Sequence, residues 1–382
     1  MSSSRQIAAE LVFRSTLIAF SKSMWDLSNA HEGILPKGPC FIYGNHSNNY
    51  DPFILNAFTE LGQCTAGVMT KHYLDKGPIA ALFKASGIVG TEKRVPEPHL
   101  IRKIWKMADE GRRIVIFPEG GRRWDGRPAP WIESTAKLFM RLGIPVYPIQ
   151  IHGSYVAWPR WATYPRPARI RLSVGAAIDF SDQPSLEVGL ERLKAPIAFD
   201  ENVVDPSISP KRAFRPVAGL SKLLYRDPET GIFGGLEEKG STTLQQRSGL
   251  KKWMVRPDST LMESVSQEIR LTGDFYHEIK NLPLEAGTSV ALLQNKARVT
   301  LHSLEGDKKY AGIENVALFH DRIEFSTAAN LDLENIRYTG LEKSDTLWIL
   351  TNTTKIHIVL KYGGSVLAWQ DVLSRLIPGL NS

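Results

Sequence analysis

Apolar and polar positions change period repeatedly over the first two hundred residues. Short apolar runs at 40–44, 65–70, 113–117, 145–151 and 169–175 predict strands. Between them, apolar residues three or four apart predict helices over 52–61, 77–86, 97–110, 132–142 and 185–195. Alternation of the two periods predicts an α/β domain over residues 31–200. Pro196, Pro206, Pro210 and Pro216 then mark a shift in composition, so residues 201–285 read as a linker followed by a polar, Gly-rich segment. A last domain reads over 286–382: to about 361 the period falls to two, with runs at 290–293, 298–304, 316–319, 322–325, 347–352 and 356–360. A helix with Val366, Leu367, Trp369, Val372, Leu373 and Leu376 on one side closes this mainly-β domain.

Ahead of the α/β pattern, Ile7, Leu11, Phe13, Leu17, Ile18, Phe20, Met24 and Trp25 recur at helical spacing, with Arg5, Arg14 and Lys22 among them. Residues 1–30 therefore predict an amphipathic helix, lying in a membrane interface or packed on its own domain. The cations argue against a signal peptide. No window reaches the roughly 18 to 20 apolar residues that span a bilayer. Trp158, Pro159, Arg160, Trp161, Tyr164 and Arg166 form a second candidate for membrane contact, because Trp and Tyr favour the headgroup level.

Two strand ends carry chemistry. The run at 40–43 leads into Asn45-His46-x4-Asp51-Pro52, and the run at 113–117 leads into Pro118-Glu119-Gly120-Gly121-Arg122-Arg123. Asp51 before Pro52 suits a helix N-cap on its own account. Folded back, the same carboxylate would accept the Nδ1–H of His46 and leave Nε2 to take a proton. In a twisted α/β sheet the carboxyl ends of the strands share one edge, where ligands bind, so His46, Asp51 and Glu119 are expected to converge. Gly120 and Gly121 let backbone amides approach a ligand, and Arg122 and Arg123 carry donors suited to a phosphate. His302 and Asp307 repeat the His-x4-Asp spacing, but in a polar stretch that reads as a turn between strands.

Composition narrows the class. The net charge of +7 suits an anionic membrane surface or anionic ligands. No nucleic-acid-binding motif accompanies it, and no nucleic acid partner is expected. Cys40 and Cys64 are the only cysteines, too few for a disulfide framework or a cysteine-based metal site. Nucleophile-elbow, P-loop and His-Glu-x2-His signatures are absent.

Four blocks in order resemble the glycerolipid acyltransferase family typified by 1-acyl-glycerol-3-phosphate acyltransferase. They are Asn45-His46-x4-Asp51-Pro52, Gly87-Ile88-Val89-Gly90-Thr91-Glu92-Lys93-Arg94, Phe117-Pro118-Glu119-Gly120-Gly121-Arg122 and Ile144-Pro145-Val146-Tyr147-Pro148-Ile149. Gly121 stands where Thr is commoner in the family. The resemblance implies a domain with a central mixed sheet and flanking helices. It also implies His46 as general base, Asp51 as its orienter, and Glu119, Gly120, Gly121 and Arg122 as the acceptor-binding group, with Lys93 or Arg94 on a phosphate. The expected reaction moves an acyl group from acyl-CoA or acyl carrier protein to a lysophospholipid, most simply making phosphatidic acid. No cofactor or metal is implied. The alternatives are a glycerol 3-phosphate or glycolipid acceptor, or a catalytically inert lipid-binding adaptor. The expected location is peripheral, on the cytoplasmic side of a membrane. The C-terminal pattern resembles a pleckstrin-homology or GRAM-like barrel, and the segment before it a zinc ribbon that has lost its cysteines.

Overall fold

The strand Cys40–Gly44 is buried along its whole length because it lies inside a sheet covered on both faces. In the computed structural model, described for residues 4–27, 31–32, 35–74, 77–91, 98–284, 290–304, 307–360 and 363–380, the chain forms two compact units. The first comprises Met1–Pro159 and Pro165–Ala213, the second Arg160–Tyr164 and Phe214–Ser382.

The sheet of the first unit contains β1 (His31–Glu32), β2 (Cys40–Gly44), β3 (Ala66–Thr70), β4 (Ile88–Thr91), β5 (Arg113–Val115), β6 (Val146–His152) and β7 (Arg171–Val174), in the order β1-β7-β6-β2-β5-β3-β4. Pairing is parallel from β6 to β4 and antiparallel between β6 and β7, so the sheet is mixed, as expected. Because successive side chains point to opposite faces, Cys40 and Ile42 enter one core with Ile54, Leu55 and Leu172, while Phe41 and Tyr43 enter the other with Ile104, Phe139 and Leu193. Helices cover both faces. They are α1 (Ser4–Phe13), α2 (Ala19–Met24), α3 (Asp51–Asn56), α4 (Pro78–Ala85), α5 (Pro98–Asp109), α6 (Glu133–Arg141), the short α7 (Ser154–Ala157) and α8 (Leu186–Lys194).

α3 stops at Asn56, well short of the apolar period that runs to 61. The Asn56 amide donates to the carbonyl of Pro52 at 2.7 Å and to Thr65 Oγ1 at 2.9 Å, and its Oδ1 accepts the Thr65 N–H. A side chain that bonds its own backbone in this way competes with helix propagation.

The N-terminal helix packs one face onto its own unit. Phe13 stacks on Phe83 of α4 with ring centroids 5.5 Å apart, and Ile18 and Trp25 are buried. Buried Glu10 accepts the Gly62 N–H at 2.9 Å and pairs with Arg14, which also donates to the carbonyls of Thr59 and Glu60. Leu11 and Val12 remain exposed on the other face. The second candidate for membrane contact is corrected: Trp161 and Arg166 are 0% and 1% exposed, and Arg160 is spent on the carbonyls of Leu341 and Lys343. Among the described residues no helix is long and apolar enough to cross a membrane.

In the second unit, the polar, Gly-rich segment with the ribbon-like resemblance forms a five-stranded antiparallel meander: β8 (Leu236–Lys239), β9 (Thr243–Gln246), β10 (Lys252–Val255), β11 (Leu261–Glu263) and β12 (Ile269–Arg270). Its strands are too short to print a period, and Leu236, Leu244, Trp253, Val255 and Leu261 supply its buried side. Helix α9 (Thr272–Asn281) follows. A seven-stranded antiparallel sheet then contains β13 (Leu293–Ser303), β14 (Lys308–Leu318), β15 (Arg322–Phe325), β16 (Leu331–Asp332), β17 (Ile336–Glu342), β18 (Thr346–Thr351) and β19 (Thr354–Val359), in the order β16-β15-β14-β13-β19-β18-β17. It ends in α10 (Val366–Leu376), whose buried Asp371 accepts from the Tyr225 and Tyr276 hydroxyls at 2.9 and 2.7 Å. His302 lies in β13 beside His357, with ring centroids 5.6 Å apart.

Candidate active site

Three adjacent parallel strands deliver the site. β5, β2 and β6 end along one edge, and the chain leaving each of them supplies part of a single cluster. From β2 come His46 and Asp51. His46 Nδ1 donates to Asp51 Oδ2 at 2.8 Å, which fixes the tautomer with the proton on Nδ1. The Asp51 carboxylate is fully buried and takes more than the imidazole: the N–H groups of Ser47 and Asn48 reach the same oxygen at 2.9 and 3.0 Å. Asp51 is therefore the first residue of α3 and caps the turn before it, instead of capping the helix that follows.

From β6 comes Ser154, whose hydroxyl donates to Asp51 Oδ1. Gly153 makes this approach possible. Its φ of +82° reverses the chain, and a Cβ there would stand 2.5 Å from the Arg169 carbonyl oxygen. Asn45 ties the loop to the same strand, donating to the Ile151 carbonyl at 3.1 Å and accepting the Ile151 N–H at 2.8 Å. From β5 comes Phe117, on which the His46 ring stacks with centroids 4.2 Å apart and planes 19° from parallel. About a fifth of the His46 side chain remains exposed.

The turn after Phe117 departs from expectation. Of its two arginines, Arg123 points inward and is 1% exposed. Its guanidinium donates to Glu119 through Nε (3.0 Å) and Nη2 (2.6 Å), to Glu201 through Nη1 (3.2 Å), and to the carbonyls of Ile197 and Phe199. Its whole donor set is consumed by the protein, so Arg123 has none left for a phosphate. Glu119, grouped by the sequence with the acceptor-binding residues, likewise has its side chain fully buried against Arg123. Burial outweighs that pairing and raises its pKa. Gly120 lies beside the Ile132 side chain at a φ of +64°, and Gly121 and Arg122 are half-buried on the outer part of the turn. Lys93 and Arg94 fall outside the described residues; the block that carries them ends, as described, at Thr91 on the edge strand β4.

Residues 27–152 match the family model Acyltransferase. Over that segment, a third of its length, the chain resembles the acyltransferase family. The chain is 29% identical over 150 residues to 1-acyl-sn-glycerol-3-phosphate acyltransferase of Pseudomonas aeruginosa, an alignment covering 38% of this chain and 56% of that protein. It is 26% identical over 126 residues to the enzyme of the same name from Borreliella burgdorferi, covering 32% of this chain and 49% of that protein. The chain thus spans about half the length of the curated relatives it matches. The crystal structure of the 1-acyl-sn-glycerophosphate (LPA) acyltransferase from Thermotoga maritima aligns with a TM-score of 0.40 at 19% identity, over 51% of this chain and 81% of that one.

Two side chains bonded to the His46–Asp51 loop lie beyond the matched segment, and sequence reasoning missed both. Ser154 stands 103 residues after Asp51, and Glu201 stands 154 after Ser47, whose Oγ donates to it at 2.6 Å. No spacing rule connects such pairs. Burial, with Asp51 nearby, pushes Glu201 up to about 7 against the opposing pull of Arg123 and Ser47. Among the described residues no cluster of His, Cys, Asp and Glu could hold a metal ion.

Proposed function

We propose that this chain transfers a fatty acyl group from a thioester of coenzyme A or acyl carrier protein to the hydroxyl of a lysophospholipid, most simply 1-acyl-glycerol-3-phosphate. The observation that carries the reading is the 2.8 Å bond from His46 Nδ1 to a fully buried Asp51, at the strand edge of an acyltransferase domain. With Nδ1 committed to Asp51, Nε2 takes the proton of the acceptor hydroxyl. The oxygen attacks the thioester carbonyl carbon, the tetrahedral intermediate collapses, and the C–S bond breaks. The imidazolium, stabilised by Asp51, returns its proton to the departing thiolate. Ester and thiol are the products, with no covalent enzyme intermediate. Arg122, with the amides of Gly120 and Gly121, is assigned to the acceptor headgroup, and Lys93 or Arg94 to its phosphate. Glu119 acts on that turn through Arg123.

A bilayer-borne acceptor calls for peripheral membrane contact, assigned here to the cytoplasmic side. Exposed Leu11 and Val12 on α1, with exposed Ile101 and Trp105 among Arg102, Lys103 and Lys106 on α5, support it. The seven-stranded sheet followed by α10 supports a pleckstrin-homology-like module.

The test is acyl transfer by His46→Ala to a panel of lysolipids from both thioester donors. The expected loss is roughly 100- to 10,000-fold at unchanged circular dichroism, with His302→Ala close to wild type. Equal activity of His46→Ala and wild type refutes the assignment.

A further inference from the structure

Glu201 follows the segment matched to the acyltransferase family, in a stretch that reads as the start of a linker, yet its carboxylate lies against the His46 loop. Its side chain is 1% exposed. Oε1 accepts from Ser47 Oγ at 2.6 Å and from Arg123 Nη1 at 3.2 Å. Ser47 is the residue after His46, and its own N–H donates to Asp51. Arg123 closes the circuit, because its backbone N–H donates to the His46 carbonyl at 2.7 Å. The peptide leaving His46 is therefore held on its carbonyl by Arg123, on its N–H by Asp51, and on the following side chain by Glu201.

We infer that Glu201 is a positioning residue for the His46–Asp51 pair, acting through Ser47 and Arg123 and setting the aim of the imidazole without touching substrate. A buried carboxylate beside Asp51 carries a desolvation cost, and a purely packing role would be filled at lower cost by an apolar side chain or an amide. What the oxygen provides is a single acceptor shared by two loops that leave neighbouring strands. A rotation of the His46 peptide displaces the imidazole from the acceptor hydroxyl, and displacements of about 1 Å are worth on the order of 100-fold in rate.

The inference rests on His46 being the base, so the test uses two readouts. In histidine-labelled full-length protein, the Nδ1–H resonance of His46, assigned by its absence in His46→Ala, reports the pair without substrate. It is expected to shift or broaden in Glu201→Ala and Ser47→Ala, and to persist in Glu201→Gln, whose Oε1 still accepts from both partners. In acyl-transfer assays both alanine variants should lose roughly 10- to 100-fold in kcat at unchanged KM for thioester and acceptor. The double variant should be no worse than the poorer single one, and Glu201→Gln should recover most of the rate. An unchanged resonance and kcat in Glu201→Ala with only a lower Tm, or losses that multiply in the double variant, overturns the inference. Absence of transfer by the wild-type protein defeats the functional reading instead, and the resonance then decides the positioning role alone. Should Glu201→Ala not fold, Ser47→Ala and Glu201→Gln carry the same comparison.

Discussion

Arg123→Met should be among the most destabilising single changes in the first unit, and its cost should depend on pH in a defined direction. In the native protein the guanidinium is shared by two carboxylates, Glu119 and Glu201, all three side chains being 0–1% exposed. Replacing it with an unbranched apolar chain leaves two acids in the interior with no cation between them. Breaking a buried pair in this way costs roughly 3 to 5 kcal/mol, a large part of the 5 to 15 kcal/mol that typically holds a domain together. Protonation offers relief. Glu201 already sits near 7, above its ordinary 4.5, because burial and Asp51 outweigh Arg123 and Ser47. A carboxyl whose folded pKa is raised contributes its stability fully below the unfolded value and loses it as pH rises through the folded one. Without Arg123 the folded value climbs further, so the variant should be close to wild type near pH 4.5 and fall increasingly below it toward pH 8. Urea midpoints followed by tryptophan fluorescence at several pH values measure this, with denaturant slopes compared because the chain has two units. A midpoint equal to wild type at pH 8, or a loss that is the same at pH 5 and pH 8, refutes the account of this triad.

The neighbouring residue should behave in the opposite way. Arg122→Ala is expected to leave the free energy of unfolding in urea within about 1 kcal/mol of wild type while raising KM for the lysolipid at least several-fold and leaving KM for the thioester alone; equal rises for both substrates assign Arg122 to the fold. Leu11→Ser with Val12→Ser should weaken co-sedimentation with anionic liposomes while sparing transfer to a short-chain, water-soluble acceptor, and undiminished liposome binding at two salt concentrations removes α1 from the membrane face.

The contrast between Arg122 and Arg123 marks where the sequence stops being legible. A His at the end of one apolar run and a Gly-rich turn at the end of another suffice to predict that β2 and β5 meet near His46, because parallel strands share a carboxyl edge. Period alone cannot decide which of two consecutive arginines turns inward. That choice depends on the carbonyls of Ile197 and Phe199 and on Glu201, which arrive more than seventy residues later. The same limit hid Ser154, whose approach to Asp51 needs the left-handed turn at Gly153. Helix α3 ended early for a local reason, the Asn56 side chain, that an apolar count does not register. In the ribbon-like segment the individual strands of the five-strand meander were not legible, because they offer two to four residues each, fewer than a period needs to show itself.

The loop from Asn45 to Pro52 is short enough to suggest a portable cassette, a few residues that could be grafted between any strand and helix. Its bonding says otherwise. A graft would carry along the contacts of Asp51 to His46, Ser47 and Asn48, all of them within the segment. It would leave behind Ile151, Ser154, Glu201 and the backbone N–H of Arg123, the groups that hold Asn45, the far oxygen of Asp51, Ser47 and the His46 carbonyl. Transplanted alone, the cassette keeps its hydrogen-bonded turn and loses its orientation. A designer copying this centre would have to import the ends of three strands and the segment around Glu201 together, so the smallest transferable piece is close to the whole first unit.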